Sequence, residues 1–514
     1  MSESHGLEVQ VEDTADSPTK PQQTLQSRAK RLVLWHNQKW KGIRLPGVAL
    51  FLFKYFFLGF AVAPKDVPRD AWWGVTLTAC VCMGSAVLPL PLPAFCVFAL
   101  ALAGLSGGMT SEELFSGFGS PDLWFNMFSF MTMRAFTVTG LGKRLGLLVY
   151  KYIGFNVLLV AYAICTLELI LALFITSPAV RAVGLIMPIM VALLEHGFKS
   201  SPQLGTQREV GSYLILVEVT ANAFASACWL TGYNDVNHFI ANYLDEQGLD
   251  VNFNFWATQV AIPVLIAVLL VPLMMYLLHR PKYVRRPNAY DDACQQLRSC
   301  GPISCSEVIV ALVYVATFAL WVAASMSPGF YISDMIIASI GITALLVLGI
   351  VESDSAVLED KRPFRMLIYY GTLLSIIQTA VSKGYWAYPF AGKYVVGWLS
   401  GKPVGSSLLL ASIVMYFTSY VYTSPLAHTR DFYPPIFESL IQNGVPSHLG
   451  SSVLSYVTMA RNISPYTSPT NPAYYALGYV TVRQWWFCGI ASLALNYLFL
   501  ISVGFLWWFI IGDW

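Results

Sequence analysis

Residues 174–189 read FITSPAVRAVGLIMPI. An apolar run meets Thr176-Ser177-Pro178, takes up a lone arginine, Arg181, and turns apolar again. Proline lacks the N–H that a continuing helix needs, so a helix arriving at this point ends there. Proline also suits the first position of a helix, and serine is a good cap, so a second helix starts at Ser177-Pro178. A broken apolar segment of this kind is either an ordinary kink in a bundle or the tip of a re-entrant hairpin.

Composition sets the surroundings. The chain has 514 residues, of which 56% are hydrophobic and 12% charged, and its mean hydropathy is +0.57. A soluble domain carries about 25% charged residues. The expected fold class is therefore an all-α polytopic membrane protein. A net charge of +2 singles out no partner, and nothing points to nucleic acid. The nine cysteines lack metal-ligand spacing. Cys80 and Cys82 lie in an apolar run, while Cys294, Cys300 and Cys305, in or beside a polar loop, read as free thiols rather than a zinc site. There is no Gly-rich phosphate loop and no HExxH. His428-Thr429-Arg430-Asp431 places a histidine near an aspartate with no nucleophile beside them. Neither an enzyme nor a cofactor is expected.

Residues 1–44 are polar, acidic at first and basic towards the end. They read as a disordered cytoplasmic tail, and the early acids argue against an organelle transit peptide. Apolar stretches near the ~20 residues that cross a bilayer fall near 46–63, 71–89, 91–107, 122–138, 149–175, 211–230, 256–278, 307–326, 332–351, 366–384, 406–423 and 485–511. Pieces near 180–195 and 430–480 look too short or too broken to span. The basic segment before residue 46 and the loop 279–301, with Arg280, Lys282, Arg285 and Arg286, should both face the cytoplasm. That places a first transmembrane repeat at 45–278, a cytoplasmic linker loop at 279–304 and a second repeat at 305–514.

Each half carries two interruptions. ITSPAVRAVG is followed by LILVEVTANAFASACWLTGYNDVN at 214–237, and SYVTMARNIS at 455–464 is followed by PYTSPTNPAYYALGYV at 465–480. Interruptions in corresponding positions are the sequence mark of inverted repeats, each with a re-entrant hairpin and an interrupted transmembrane helix, that build a transport site between them. Non-helical backbone survives in a bilayer only where protein buries it or water reaches it. A helix beginning at Ser177-Pro178 points free amides and its positive dipole end at the tip, which suits an anion. Arg181, one turn on, either adds a charge shaped for a carboxylate, snorkels to an interface, or pairs with Glu168 or Glu218. The second tip offers Ser455, Thr458 and Asn462, and the loop after it Thr467, Ser468, Thr470 and Asn471 among Pro469 and Pro472.

Three longer stretches then carry a family resemblance: GMTSEELFSGFGSPDLWFNMFSFMTMRAFTVTGLGKRLGLL at 108–148, SPLAHTRDFYPPIFESLIQNGVP at 424–446, and GYVTVRQWWFCGIASLALNYLFLISVGFLWWFIIGDW at 478–514. From about residue 45 onward the chain resembles the divalent anion:sodium symporter family, especially its citrate/succinate antiporters and plastid 2-oxoglutarate/malate translocators. The family's first hairpin motif, Ser-Asn-Thr-Ala-Arg, reads Ser177-Pro178-Ala179-Val180-Arg181 here, and the Ser-Asn of the second falls on Val457-Thr458. The unwound loops, with Thr and Asn near Pro, match Thr231 to Asn237 and Ser468-Pro469-Thr470-Asn471.

The resemblance implies a homodimer in the lipid bilayer that moves di- or tricarboxylates by an elevator-type motion. The missing Asn at both tips argues against sodium coupling and for anion exchange. A sodium-coupled symporter and a non-transporting receptor with a degenerate site are the alternatives. The implied substrate residues are Ser177, Arg181, Thr231, Asn234, Asn237, Thr458, Ser468 and Asn471, with no resident metal.

Overall fold

The computed structural model describes residues 57, 59, 69–87, 91–105, 109–327, 332–352, 354, 359–384, 394–458 and 464–514. The N-terminal tail and almost all of the first expected span, near 46–63, lie outside these residues, as does Asn462 of the second tip. Among the described residues there is no β-strand, only an isolated bridge between Asn156 and Arg285. Seven helices there are long and apolar enough to cross a membrane: Val157–Phe174, Val180–Gly197, Gly211–Cys228, Phe253–Leu278, Cys305–Met326, Lys361–Ser382 and Val482–Ile511. The chain is an all-α, multi-pass integral membrane protein.

Two stretches fold differently from their sequence reading. The run 149–175 is not one helix. Gly154 ends the helix Leu141–Ile153, and Asn156, in extended conformation, caps the next by accepting a bond from Leu158 N–H at 3.0 Å. A short polar capping signal thus overrides continuous hydropathy. Conversely, the piece near 180–195, read as too short to span, forms an 18-residue apolar helix that is 83% buried. Its first part, Val180–Ile186, is wound as a π-helix, a form common at functional sites. Tyr314 on the helix Cys305–Met326 donates to the carbonyls of Gly184 and Leu185, at 2.8 and 2.9 Å.

The stretch between the halves is not all loop: it holds the 11-residue amphipathic helix Ala289–Ser299. Arg144, from the basic pair in the helix Leu141–Ile153, pins its far end by donating to Gly301 O, Pro302 O and Glu307. Glu307 also completes a reciprocal cap with Ser304 at the start of the helix Cys305–Met326.

Gly146 marks a tight helix crossing. A Cβ built there would sit 2.6 Å from the carbonyl carbon of Ala192 and from the backbone nitrogen of Leu193. Backbone cannot yield as a flexible side chain does. Gly146→Val should therefore lose about 1–3 kcal/mol, the usual cost of overpacking, and lower the thermal unfolding midpoint of the purified protein. Gly119→Ala, whose Cβ meets nothing within 4 Å, should leave it unchanged.

Candidate functional site

The helix Val157–Phe174 stops at Ile175, whose φ and ψ are extended, and helix resumes at Pro178. Ser177 caps the restart by accepting a bond from Val180 N–H at 3.4 Å. Asp334, an acid of the protein itself, lines the same cavity as Ser177, where the sequence suggested a ligand anion.

In the first half the helix Gly211–Cys228 ends at extended Trp229, gives one short 3₁₀ turn, Leu230–Tyr233, and restarts as Asn234–Glu246. Glycine is required at 232, because a Cβ would lie 2.7 Å from Ser226 O. Breaking a helix leaves carbonyls without partners. Asn237 answers two of them, donating to Ser226 O at 2.8 Å and Trp229 O at 2.9 Å. Thr231 serves the neighbouring helix end, donating to Ala172 O at 3.2 Å.

In the second half the helix Ser447–Val457 ends at Thr458, which donates to Ser455 O at 2.7 Å. Residues 464–470 are irregular, and the short helix Asn471–Ala476 follows. Asn471 holds the irregular turn by donating to Ser464 O at 2.8 Å. Ser468 accepts from Thr470 N–H at 3.4 Å.

Arg181 is 0% exposed and lines none of the cavities described below. Its guanidinium donates to Glu168 Oε2 at 3.0 Å, Ile175 O at 2.7 Å, Gly232 O at 2.8 Å and Ser226 Oγ at 2.8 Å. Of the roles open from sequence, pairing with Glu168 is the one the structure displays. The guanidinium faces the protein's own broken helix ends rather than a substrate carboxylate.

The two tips meet. A cavity of about 30 Å³ is lined by Pro178, Asn222, Ser226, Asn237, Thr458 and Ser468, among others. It has room for a water or two but not for a dicarboxylate. Asn222, which the sequence reading passed over, bridges the halves. It donates to Pro178 O at 3.0 Å and to Glu168 Oε2 at 3.1 Å, and accepts from Thr470 Oγ1 at 3.2 Å. Asn126 adds a second tie, donating to Pro469 O at 2.8 Å. A larger cavity of about 260 Å³ shares Pro178 and Tyr233 with the first and is lined also by Ser177, Asn234 and Pro469. Three acids, Asp122, Asp235 and Asp334, line it too. They were not legible as site residues, since 212 positions separate Asp122 from Asp334.

Thus Asn237, Thr458 and Ser468 share one cavity, Ser177 and Asn234 another, and Arg181, Thr231 and Asn471 line neither. No group of three His, Cys, Asp or Glu suited to a metal occurs among the described residues. His428 and Asp431 do not act together either: His428 bonds Thr418 Oγ1 at 2.9 Å, while Asp431 accepts from Tyr422 at 2.6 Å. Arg181→Ala would strand Glu168 as an uncompensated buried charge, at a cost of about 3–5 kcal/mol. The expected result is a large fall in unfolding midpoint and in folded yield, with or without substrate. A normal midpoint combined with lost substrate binding would instead give Arg181 a substrate-facing role.

Comparison with known proteins places this geometry. The family model described as the sodium:sulfate symporter transmembrane region matches residues 46–514. YflS of Bacillus subtilis (strain 168), provisionally named a malate transporter, is 27% identical over 465 residues, 88% of this chain and 94% of its own. Dicarboxylate transporter 1, chloroplastic, of Spinacia oleracea is 25% identical over 480 residues, 93% and 83% of the two chains. The L-tartrate/succinate antiporter of Escherichia coli (strain K12) is 25% identical over 394 residues, 76% and 79%. These are transporters, not enzymes, and the chain belongs to the sodium:sulfate symporter family, known also as the divalent anion:sodium symporter family.

Proposed function

We propose that the protein is a secondary transporter of dicarboxylates of the malate, succinate and 2-oxoglutarate class, extending to tricarboxylates such as citrate, and that it works by anion exchange. The observation that carries this reading is the meeting of the two broken segments: Pro178 of the first and Thr458 and Ser468 of the second line one cavity. The names of the relatives support the substrate class. Short polar side chains and loop backbone at such a tip can donate to two carboxylates. A monocarboxylate would leave buried donors unpaired, which disfavours it.

The small cavity belongs to a conformation closed around the site. Substrate entry requires the tips to separate, and the bonds from Thr470 to Asn222 and from Asn126 to Pro469 are ones that separation would break. Alternating access by a moving domain, elevator fashion, within a homodimer fits that requirement, and the substrate's differential contacts would set the populations of the states. In this scheme Ser177, Ser468, Thr458 and Asn234 face the ligand. Asn237, Thr231, Asn471 and Arg181 hold the unwound backbone in shape.

Purified protein in liposomes loaded with unlabelled malate should take up labelled malate, succinate and 2-oxoglutarate whether or not sodium is present, and empty vesicles should take up little. Uptake into empty vesicles that needs a sodium gradient would overturn exchange in favour of symport. Tight dicarboxylate binding without any flux would favour a receptor. Ser468→Ala, which removes a hydrogen bond to a charged group worth about 1.5–3 kcal/mol, should raise KM about tenfold or more.

A further inference from the structure

Two carboxyl groups and one guanidinium lie together in the middle of the first half, all three side chains 0% exposed. Glu168 projects from the helix Val157–Phe174, Glu218 from the helix Gly211–Cys228 and Arg181 from the restarted helix. Arg181 and Asn222 both bond Glu168 Oε2, while Glu218 Oε1 accepts from Tyr474 OH at 3.3 Å. The remaining oxygens, Glu168 Oε1 and Glu218 Oε2, have no donor, although the two carboxyl groups lie within hydrogen-bonding reach of each other.

Two buried carboxylates in contact repel, and one arginine cannot neutralise both. A proton between them solves both problems: it supplies the donor that both orphan oxygens lack and brings the net charge of the cluster to zero. The other titratable group facing Glu218 from the Glu168 helix is Cys165, and Tyr474 faces it from the second half. The helix Ile262–Leu278, which also packs against Gly211–Cys228, contains no Asp, Glu, Lys, Arg or His.

We propose that Glu168 and Glu218 together hold one proton, and that the carrier binds its dicarboxylate with that proton in place. Asn222 supplies the connection, since it bonds Glu168 on one side and, on the other, the first tip and the loop that follows the second. Without the proton the cluster carries a net negative charge beside the anion site and opposes a dianion. Proton binding and anion binding therefore favour each other by linkage. The proposal rests on the transport reading above, and makes the proton a co-substrate.

The test is calorimetric titration of the purified full-length protein with succinate from about pH 7 to about pH 9.5, above the usual carboxylic-acid range, so that the ligand's own charge stays constant. Below the pair's proton-release range the affinity should be constant. Above it the affinity should fall, approaching about tenfold per pH unit, the limit for one linked proton. At the alkaline end, titrations in two buffers of different ionisation enthalpy should show one proton taken up per succinate. Glu218→Gln should lose both the slope and the proton uptake.

Flat wild-type affinity with no proton uptake would overturn the proposal, as would an unchanged slope in Glu218→Gln. If Glu218→Gln fails to fold, the wild-type proton count alone decides. If succinate binds at no pH, the transport reading falls. The infrared C=O absorption of a buried carboxylic acid, compared between wild type and Glu218→Gln or Glu168→Gln, then decides on the proton, and its absence from the wild type overturns the site.

Discussion

The buried pair of Arg181 and Glu168 is the contact on which the first half depends. A guanidinium away from water needs a counter-charge and acceptors for its remaining N–H groups. Here those acceptors are the carbonyls of Ile175 and Gly232 and the hydroxyl of Ser226. Ile175 lies at the first break and Gly232 at the unwound turn. Non-helical backbone in a bilayer-spanning protein is tolerated only where its polar groups are answered. One side chain therefore answers the carbonyls of two breaks and ties them together, so neither break can re-form a helix without stranding the charge.

The same economy runs through the polar residues around it. Asn237, Thr231 and Asn471 each donate to a carbonyl at a helix end or in the irregular turn. Most polar side chains near the tips thus hold backbone, which leaves few for a ligand. Asn222 differs, because its donors and acceptor reach three separate elements. It is the natural place for the state of one tip to be felt by the other and by the carboxyl pair.

Membrane character, the break at Ser177-Pro178 and the interruption after residue 228 were all legible in the sequence, because each has a local cause: hydropathy, proline, and a glycine with hydroxyl and amide neighbours. The fate of Arg181 was not, because its candidate partners lie 13 and 37 positions away and nothing in the spacing chooses between them. The split at Gly154–Asn156 was masked by continuous hydropathy on both sides, and only the capping asparagine marked it. Asn222 sat unnoticed within an alanine-rich helix, and the acids of the larger cavity come from three elements that no local pattern joins.

Under the proposed function, those acids would bear on how a dianion reaches the site. Asp122, Asp235 and Asp334 line the cavity next to the first tip, together with Ser177. Like charges at an entrance slow and disfavour an approaching anion. Where a dianion entered past these acids, the proposed carrier would gain nothing from electrostatic steering, and a preference for dicarboxylates would come from the hydrogen bonds at the tips.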